Sequence, residues 1–474
     1  MPLILGTNSI KDTGFDVANS LRLNESDDPR LGKSFSSAGN RRTFTQSVWI
    51  KRSKIGVASN FGMYKNEGSG GGNNYLFVGY FDSNDRLYLA RNQSATEVEV
   101  ITTRKFRDVS AWLNIVIAVD TTQGTASNRV KCWVNGVQET SFDSSIYPSQ
   151  NQQFDFNVAQ QHYIGANYNG TSANYDGYMA EFVFVDGTAL DHTSFGEFDS
   201  NSPNIWKPID VADQSITFGT NGFYLDFEDS SALGNDISGQ NNDWTPTNLT
   251  STDQSTDTCT NNFCTLNPLI GSNHITLSEG NLYASTTTSS WATETSTFVL
   301  SKGKWYLEVY VVGYNHNALG VQPSENATTN VSGYAFDKAN AFGFKFYGGH
   351  KTSAAGDSVS YGNQANNGDT VGMALDLDNH KIYFSVNGTF QASGDPTSGS
   401  TGTGSAFDLT TGVDYVIVNN LNHQSGGAIS SFNFGSPPHS ISSGNSDGNG
   451  YGNFEYSVPS GYYSINTKNL AEFG

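Results

Sequence analysis

Residues 368–388, GDTVGMALDLDNHKIYFSVNG, decide the fold, because they spell two strands and two turns in a period of two. Val371, Met373, Leu375 and Leu377 fall on one face, and Thr370, Gly372, Ala374, Asp376 and Asp378 on the other. After Asn379-His380 the alternation resumes with Ile382, Phe384 and Val386. It stops at Asn387-Gly388, a dipeptide that accepts the positive φ angles of a tight hairpin turn. The stretch reads as an antiparallel hairpin with one buried face. The same grammar occurs earlier: Ile115, Ile117 and Val119 alternate, then Val130, Cys132 and Val134 alternate and end at Asn135-Gly136.

The composition is what such hairpins need. A length of 474 residues exceeds one ordinary core and favours two or three domains. The 50 glycines, with abundant Asn, Ser and Thr, supply turns, while an aromatic share of 13% suits half-buried pleated surfaces and argues against disorder. A net charge of −20, with no basic cluster beyond Arg41-Arg42 and the Lys51-Arg52-Ser53-Lys54 run, argues against nucleic acid as a partner. Its plain consequence is solubility.

The three cysteines show no CxxC or Cys/His spacing that would hold zinc. Cys132 reads as a small core residue, and Cys259 and Cys264 either bridge or stay free within a Thr/Asn-rich connection. The opening MPLILGTNSIKD has no basic lead and too short an apolar run for a signal peptide. The longest apolar strip, around Trp112 to Val119, is strand-sized. Synthesis in the cytoplasm without a signal peptide, and no membrane insertion, are therefore expected.

Residues 1–212 read as one β unit, with strands at 45–51, 75–81, 86–90, 112–120, 129–135, 163–165 and 177–185. The order of Trp112 with its apolar strand, CWVNG at 132–136, YIGANYNG at 163–170 and DGYMAEFVFVDGTAL at 176–190 resembles the laminin-G-like branch of the concanavalin A-like jelly rolls. That resemblance implies two stacked antiparallel sheets. Residues 213–268 read as an edge strand around Tyr224, Leu225 and Phe227 followed by a linker, or as a small separate subdomain. Within them Asp226, Glu228, Asp229, Asp236 and Asp243 are either solvated turn carboxylates or a calcium loop.

A second unit is expected over 269–435. KWYLEV at 304–309, the hairpin of residues 368–388 and FNFG at 432–435 resemble SPRY domains, which implies another two-sheet jelly roll. Residues 436–474 form a tail expected to pack on it. PSGYYSINTKNL at 459–470, NNFCTLNPL at 261–269 and NLYAS at 281–285 resemble bacteriophage virion proteins that pair laminin-G-like and SPRY modules. The expected fold class is all-β: two concanavalin A-like antiparallel jelly-roll sandwiches, laminin-G-like then SPRY, joined by a Thr/Asn-rich linker.

Catalysis has little to stand on. Retaining glycosidases need two carboxyl groups about 5 Å apart, and the Glu-x-Asp-x-x-Glu pattern of the glucanases is absent. Asp376 and Asp378 share a strand face but sit at a hairpin end, where acids keep an edge soluble. No HExxH or nucleophile elbow organises the histidines. Recognition at the loops is the better expectation. Tyr80, Asp82, Tyr168, Asn169, Tyr175 and Asp176 in the first unit, and Tyr314, Asn315, His316, Tyr347 and His350 in the second, place aromatic planes beside groups that bond hydroxyls. The expectation is a non-enzymatic virion surface protein, such as a tail fibre or tail-associated adhesin, that presents lectin-like modules to host glycans. A capsid decoration or tail-assembly subunit and a polysaccharide depolymerase are the alternatives. The resemblance further implies other virion proteins as partners and a homo-oligomer, with a trimer favoured.

Overall fold

The computed structural model describes residues 11–56, 61–66, 76–92, 98–166, 174–327, 333–354, 356–423 and 427–474. The chain forms two compact units, Thr13–Thr260 and Asn261–Gly474, the latter joined by the segment that ends at Asp12. Each is a sandwich of two antiparallel sheets, as the alternating patterns require. Among the described residues the single α-helix is Thr467–Phe473, and no helix is long and apolar enough to cross a membrane.

In the first unit, one sheet runs in the order Val137–Gln138, Val130–Val134, Leu113–Asp120, Thr43–Arg52, Gly177–Asp186, Ser20–Leu23, Gln254–Ser255. The other runs Phe142–Ile146, Val98–Lys105, Arg86–Asn92, Leu76–Phe81, Phe61–Asn66, Gln161–Ile164, Arg30–Ser34, Thr245–Thr247. Phe44, Val48, Ile50, Ile115 and Ile117 from the first meet Met63, Tyr64, Phe81, Leu87 and Val100 from the second in one core. Cys132 lies in that core, and burial pushes its thiol pKa up.

Residues 213–260 are woven into this unit and do not act as a linker. Phe223–Leu225 pairs with Gly177–Asp186, Thr245–Thr247 with Arg30–Ser34, and Gln254–Ser255 with Ser20–Leu23. The cause is apolar: Phe223, Leu225, Phe227, Leu233 and Trp244 complete the core, and exposing five such side chains would forgo about 1.5–3 kcal/mol each. A buried ion pair fixes the end of the stretch: Lys51 Nζ lies 2.7 Å from Asp257 Oδ2, and Trp112 Nε1 donates to Asp257 Oδ1 at 3.0 Å. All three cysteines are free. Cys259 packs on the cluster that holds Val17, Trp49, Trp112 and Tyr178, whereas Cys264 belongs to the second unit's core, so each thiol is spent on a separate cluster.

The second unit has one sheet in the order Leu266–Gly271, Ala292–Ser296, Tyr415–Asn422, His316–Pro323, Phe342–Lys345, His350–Ser353, Gly356–Ser360. Its partner runs Thr276–Ser278, Tyr283–Thr286, Ala428–Asn433, Lys304–Gly313, Thr370–Asp376, Lys381–Val386, Thr389–Phe390. The hairpin of residues 368–388 is central to the second sheet, with Val371 opposite Val386 and Leu375 opposite Ile382.

Both VNG turns have the same geometry. Asn135 and Gly136 have φ of 48° and 75°, and Asn387 and Gly388 have 50° and 75°, the pair of left-handed residues that a type I′ turn needs. Each Asn side chain reaches back across its hairpin. Asn135 Oδ1 accepts from Asn114 N at 2.8 Å, and Asn387 Oδ1 accepts from Thr370 N at 2.9 Å.

One expectation about the hairpin needs correction. Every residue of Thr370–Asp376 is buried, on both faces. The outer face is covered by the chain's own tail, where Phe454 and Tyr462 pack on Tyr306, Ala374 and Tyr383. Tyr463–Ser464 adds a parallel pairing to Lys304–Gly313. Glu308, 1% exposed, anchors the tail by accepting from the amides of Glu455 and Tyr456 at 2.8 and 2.9 Å.

Candidate functional site

Two long connections shape the surface of the first unit. Residues 121–129 follow Leu113–Asp120, and residues 147–160 follow Phe142–Ile146. Arg129 pins them together, donating to the carbonyls of Gln123, Gly124 and Pro148 at 2.8, 2.9 and 2.8 Å. Asn151 N adds a bond to Thr121 O at 2.8 Å. Two clefts draw on these loops.

The larger cleft, about 490 Å3, lies where the edge strands Val137–Gln138 and Phe142–Ile146 leave one side of the sandwich open. Phe142 and Tyr147, half-buried against the core, supply aromatic surface. Ser127, Asn128, Gln138 and Ser145 supply hydroxyls and amides, and the side-chain amides of Asn128 and Gln138 have no intramolecular partner among the described residues. Glu139 is held by Arg104 at 2.9 Å. Ring faces beside unspent donors and acceptors suit a neutral sugar, whose apolar ring face stacks while its hydroxyls bond. The smaller cleft, about 380 Å3, is lined by residues 39–43, Thr122 and Gln153.

The structure places the sequence-derived candidates of this unit elsewhere. Tyr80 is fully buried and stacks on Tyr88 at 4.3 Å between ring centroids. Tyr175 is a core residue whose hydroxyl donates to Lys51 O at 3.4 Å, and burial lifts its pKa. Asp82 closes the turn before Arg86, accepting from Asn84 N and Arg86 N at 3.0 and 2.8 Å and pairing with the Arg86 guanidinium at 2.6 Å. Asp176 accepts from Glu25 N at 3.4 Å. Tyr168 and Asn169 lie outside the described residues. In a chain so rich in Tyr and Asn, burial had a prior claim on these residues, and the four described ones do not form a sugar platform.

The second unit keeps part of its expected set. At one end of the seven-stranded sheet, His316 and Tyr347 lie 5.2 Å apart, and Trp291, which the sequence reading missed, stands 6.0 Å from His316. Trp291 continues to Tyr334 at 4.5 Å, and Lys345 Nζ sits 4.8 Å over the Tyr334 ring. Tyr347 is 55% exposed. Partial burial, then Lys345, hold the His316 pKa below its ordinary value. Tyr314 and Asn315 turn inward, with Tyr314 packed on the core and Asn315 N donating to Asn317 Oδ1 at 3.0 Å. The His350 ring lies against Gly348.

The acids divide clearly. Asp376 is wholly buried, paired with Lys304 at 3.0 Å and capped by Asn379 N at 2.9 Å, so it faces no groove. The strand ends there, and Asp378 lies in the turn, accepting from Gly303 N at 2.8 Å. The two therefore do not share a strand face. In the Asp-rich run, Asp236 accepts from the amides of Tyr224, Ser238 and Asn242 at 2.9, 2.9 and 2.7 Å. Asp226, Asp229 and Asp243 accept from Glu228 N, Ser231 N and Asp236 N at 3.1, 2.9 and 3.0 Å, each through Oδ1, so the run caps its own turns. One acid went unnoticed in the sequence. Glu181 sits at a bulge in Gly177–Asp186 with φ of 49°, accepts from the Tyr224 hydroxyl, and burial raises its pKa to about 8.

The family model described as the concanavalin A-like lectin/glucanases superfamily, a laminin-G model, matches residues 32–193. No curated protein matches the chain. Among solved structures, the SPRY domain of human HERC1 is 13% identical, with 35% of this chain and 96% of that one covered and a TM-score of 0.29. A second human SPRY domain is 14% identical, covering 36% and 98%, with a TM-score of 0.26. Residues 32–193, the segment that carries every residue lining the two clefts, are thus similar to a superfamily of lectins and glucanases.

Proposed function

We propose that this chain is a non-enzymatic glycan-binding protein of a virion surface, a tail fibre or tail-associated adhesin that meets host-surface sugars through its sandwiches. The observation that carries the proposal is the cleft at the open side of the first unit, where Phe142 and Tyr147 stand beside unspent amides. The Trp291–His316–Tyr347 rim of the second unit is a further aromatic surface of the same kind. The lack of a suitably placed acid pair at Asp376 and Asp378 supports binding over turnover. Location on a virion rests on the resemblance of residues 261–285 and 459–470 to phage proteins, and so do the partners, other virion proteins and a trimeric assembly. Glycan arrays and host-cell adsorption with the purified chain test the function. Binding to a defined set of glycans that falls at least tenfold in Tyr147→Ala is expected. A folded protein that binds no glycan and no host surface contradicts it and favours a capsid-decoration or tail-assembly role.

A further inference from the structure

The smaller cleft differs from the larger one in chemistry. The chain carries 45 acidic against 25 basic residues, so an arginine has carboxylates to choose from. Among the arginines whose side chains are described, Arg42 alone has a guanidinium with no hydrogen-bond or ion-pair partner among the described residues, and its Nε is buried. Its position is nevertheless fixed. Arg42 N donates to Asn40 Oδ1 at 2.9 Å, and Arg42 O accepts from Thr121 N at 2.9 Å. Gly39 makes this possible, because a Cβ there would stand 2.4 Å from Asp186 Oδ2, the carboxylate that receives Asn40 N through Oδ1 at 2.7 Å.

The neighbouring acids are all engaged. Asp155 pairs with Arg41 at 3.0 Å. Asp120 accepts from Thr122 N and from Gln123 Nε2 at 3.0 and 2.6 Å, and Asp186 also holds Asn157 Nδ2 at 2.7 Å. What the cleft leaves unspent are donors: the Arg42 guanidinium, Asn40 Nδ2 and Gln153 Nε2. A guanidinium with two amides around it matches a planar oxyanion, which it can grip through paired N–H bonds.

We infer that this cleft is a subsite for the carboxylate of an acidic sugar, with Arg42 as the recognising group. The inference deepens the glycan-binding proposal and rests on it. The two clefts share the pinned loops, the larger taking Ser127, Asn128 and Tyr147 and the smaller Thr122 and Gln153. One acidic oligosaccharide therefore has an aromatic subsite and an anion subsite within the same unit.

Calorimetric titration of the full chain, and of its Arg42→Gln and Tyr147→Ala variants, with trigalacturonic acid, its methyl ester and inorganic sulfate tests this. The acid is expected to bind at least tenfold more tightly than the ester, and Arg42→Gln to erase that difference with an unchanged thermal midpoint, since the side chain makes no bond among the described residues. Tyr147→Ala is expected to weaken acid and ester alike. Equal binding of acid and ester, indifferent to Arg42→Gln, overturns the carboxylate subsite and leaves glycan binding standing. Sulfate binding that depends on Arg42, with neither sugar bound, overturns the acidic-sugar assignment and leaves the glycan proposal to the arrays. No binding of any probe overturns the carboxylate subsite, and the glycan arrays alone then decide the glycan proposal.

Discussion

Buried charge sets the behaviour of individual residues. Glu181 holds a proton in the folded state up to about pH 8, whereas an unfolded glutamate loses it near its ordinary value of 4.5. Between those limits the native state binds more protons, so the associated stability is complete below about 4.5 and is lost as pH rises through about 8. Burial is the main cause of the raised pKa; the hydrogen bond from Tyr224 opposes it by favouring the charged form, while Asp226, Glu228 and Asp210 nearby add to it. A fragment spanning residues 13–260 is therefore expected to melt at progressively lower temperature from pH 5 to pH 8. Glu181→Gln should flatten that profile, as thermal melts across the range would show. Asp257 illustrates the opposite case, a buried charge with its partner in place. Asp257→Ala leaves Lys51 uncompensated and is expected to cost about 3–5 kcal/mol in denaturant unfolding of the same fragment. Neither acid was legible in the sequence. Glu181 hides in an apolar strand, and Asp257 meets Lys51 only through a contact 206 positions apart.

The turns are the elements that the sequence writes most openly. Asn135-Gly136 and Asn387-Gly388 were readable because type I′ geometry demands positive φ at both positions, and few residue pairs accept it. The structure adds a second demand on the glycines. A Cβ on Gly136 would lie 2.3 Å from Trp206, and one on Gly388 2.4 Å from Tyr456. Gly136→Ala and Gly388→Ala are each expected to cost about 1–3 kcal/mol, measurable as a lower urea midpoint. The edge strand Phe142–Ile146 was invisible for the converse reason. Its FDSSI sequence has little apolar alternation, because the strand borders an open cleft and buries little. The larger candidate site thus went unread, while Tyr80 and Tyr175, conspicuous in sequence, went to stacking and core packing. His316 and Tyr347 were legible as aromatic loop residues, but Trp291 joins them only through the sheet's register, where Ala292 pairs with Leu421 and His316 with Asn422.

On the scale of the whole molecule, two sandwiches were foreseeable from period-two patterns, and the covering segments were not. Residues 213–260 and 436–474 have irregular sequences whose Phe, Tyr and Trp residues find their partners only once the sheets exist. The tail makes this testable. A chain truncated after Gly435 loses the amides that bind Glu308 and uncovers Tyr306, Ala374 and Tyr383. It is expected to aggregate or bind an apolar dye where the full chain does not, as light scattering and dye fluorescence would report. The central claim, that recognition sits at the open side of the first sandwich, is tested most directly by hydrogen–deuterium exchange of the full chain with and without a bound oligosaccharide. Protection of residues 127–130 and 138–147, lost in Tyr147→Ala and joined by residues 39–43 only when the sugar is acidic, is the predicted result. Protection that spares those segments while the sugar is bound would contradict it.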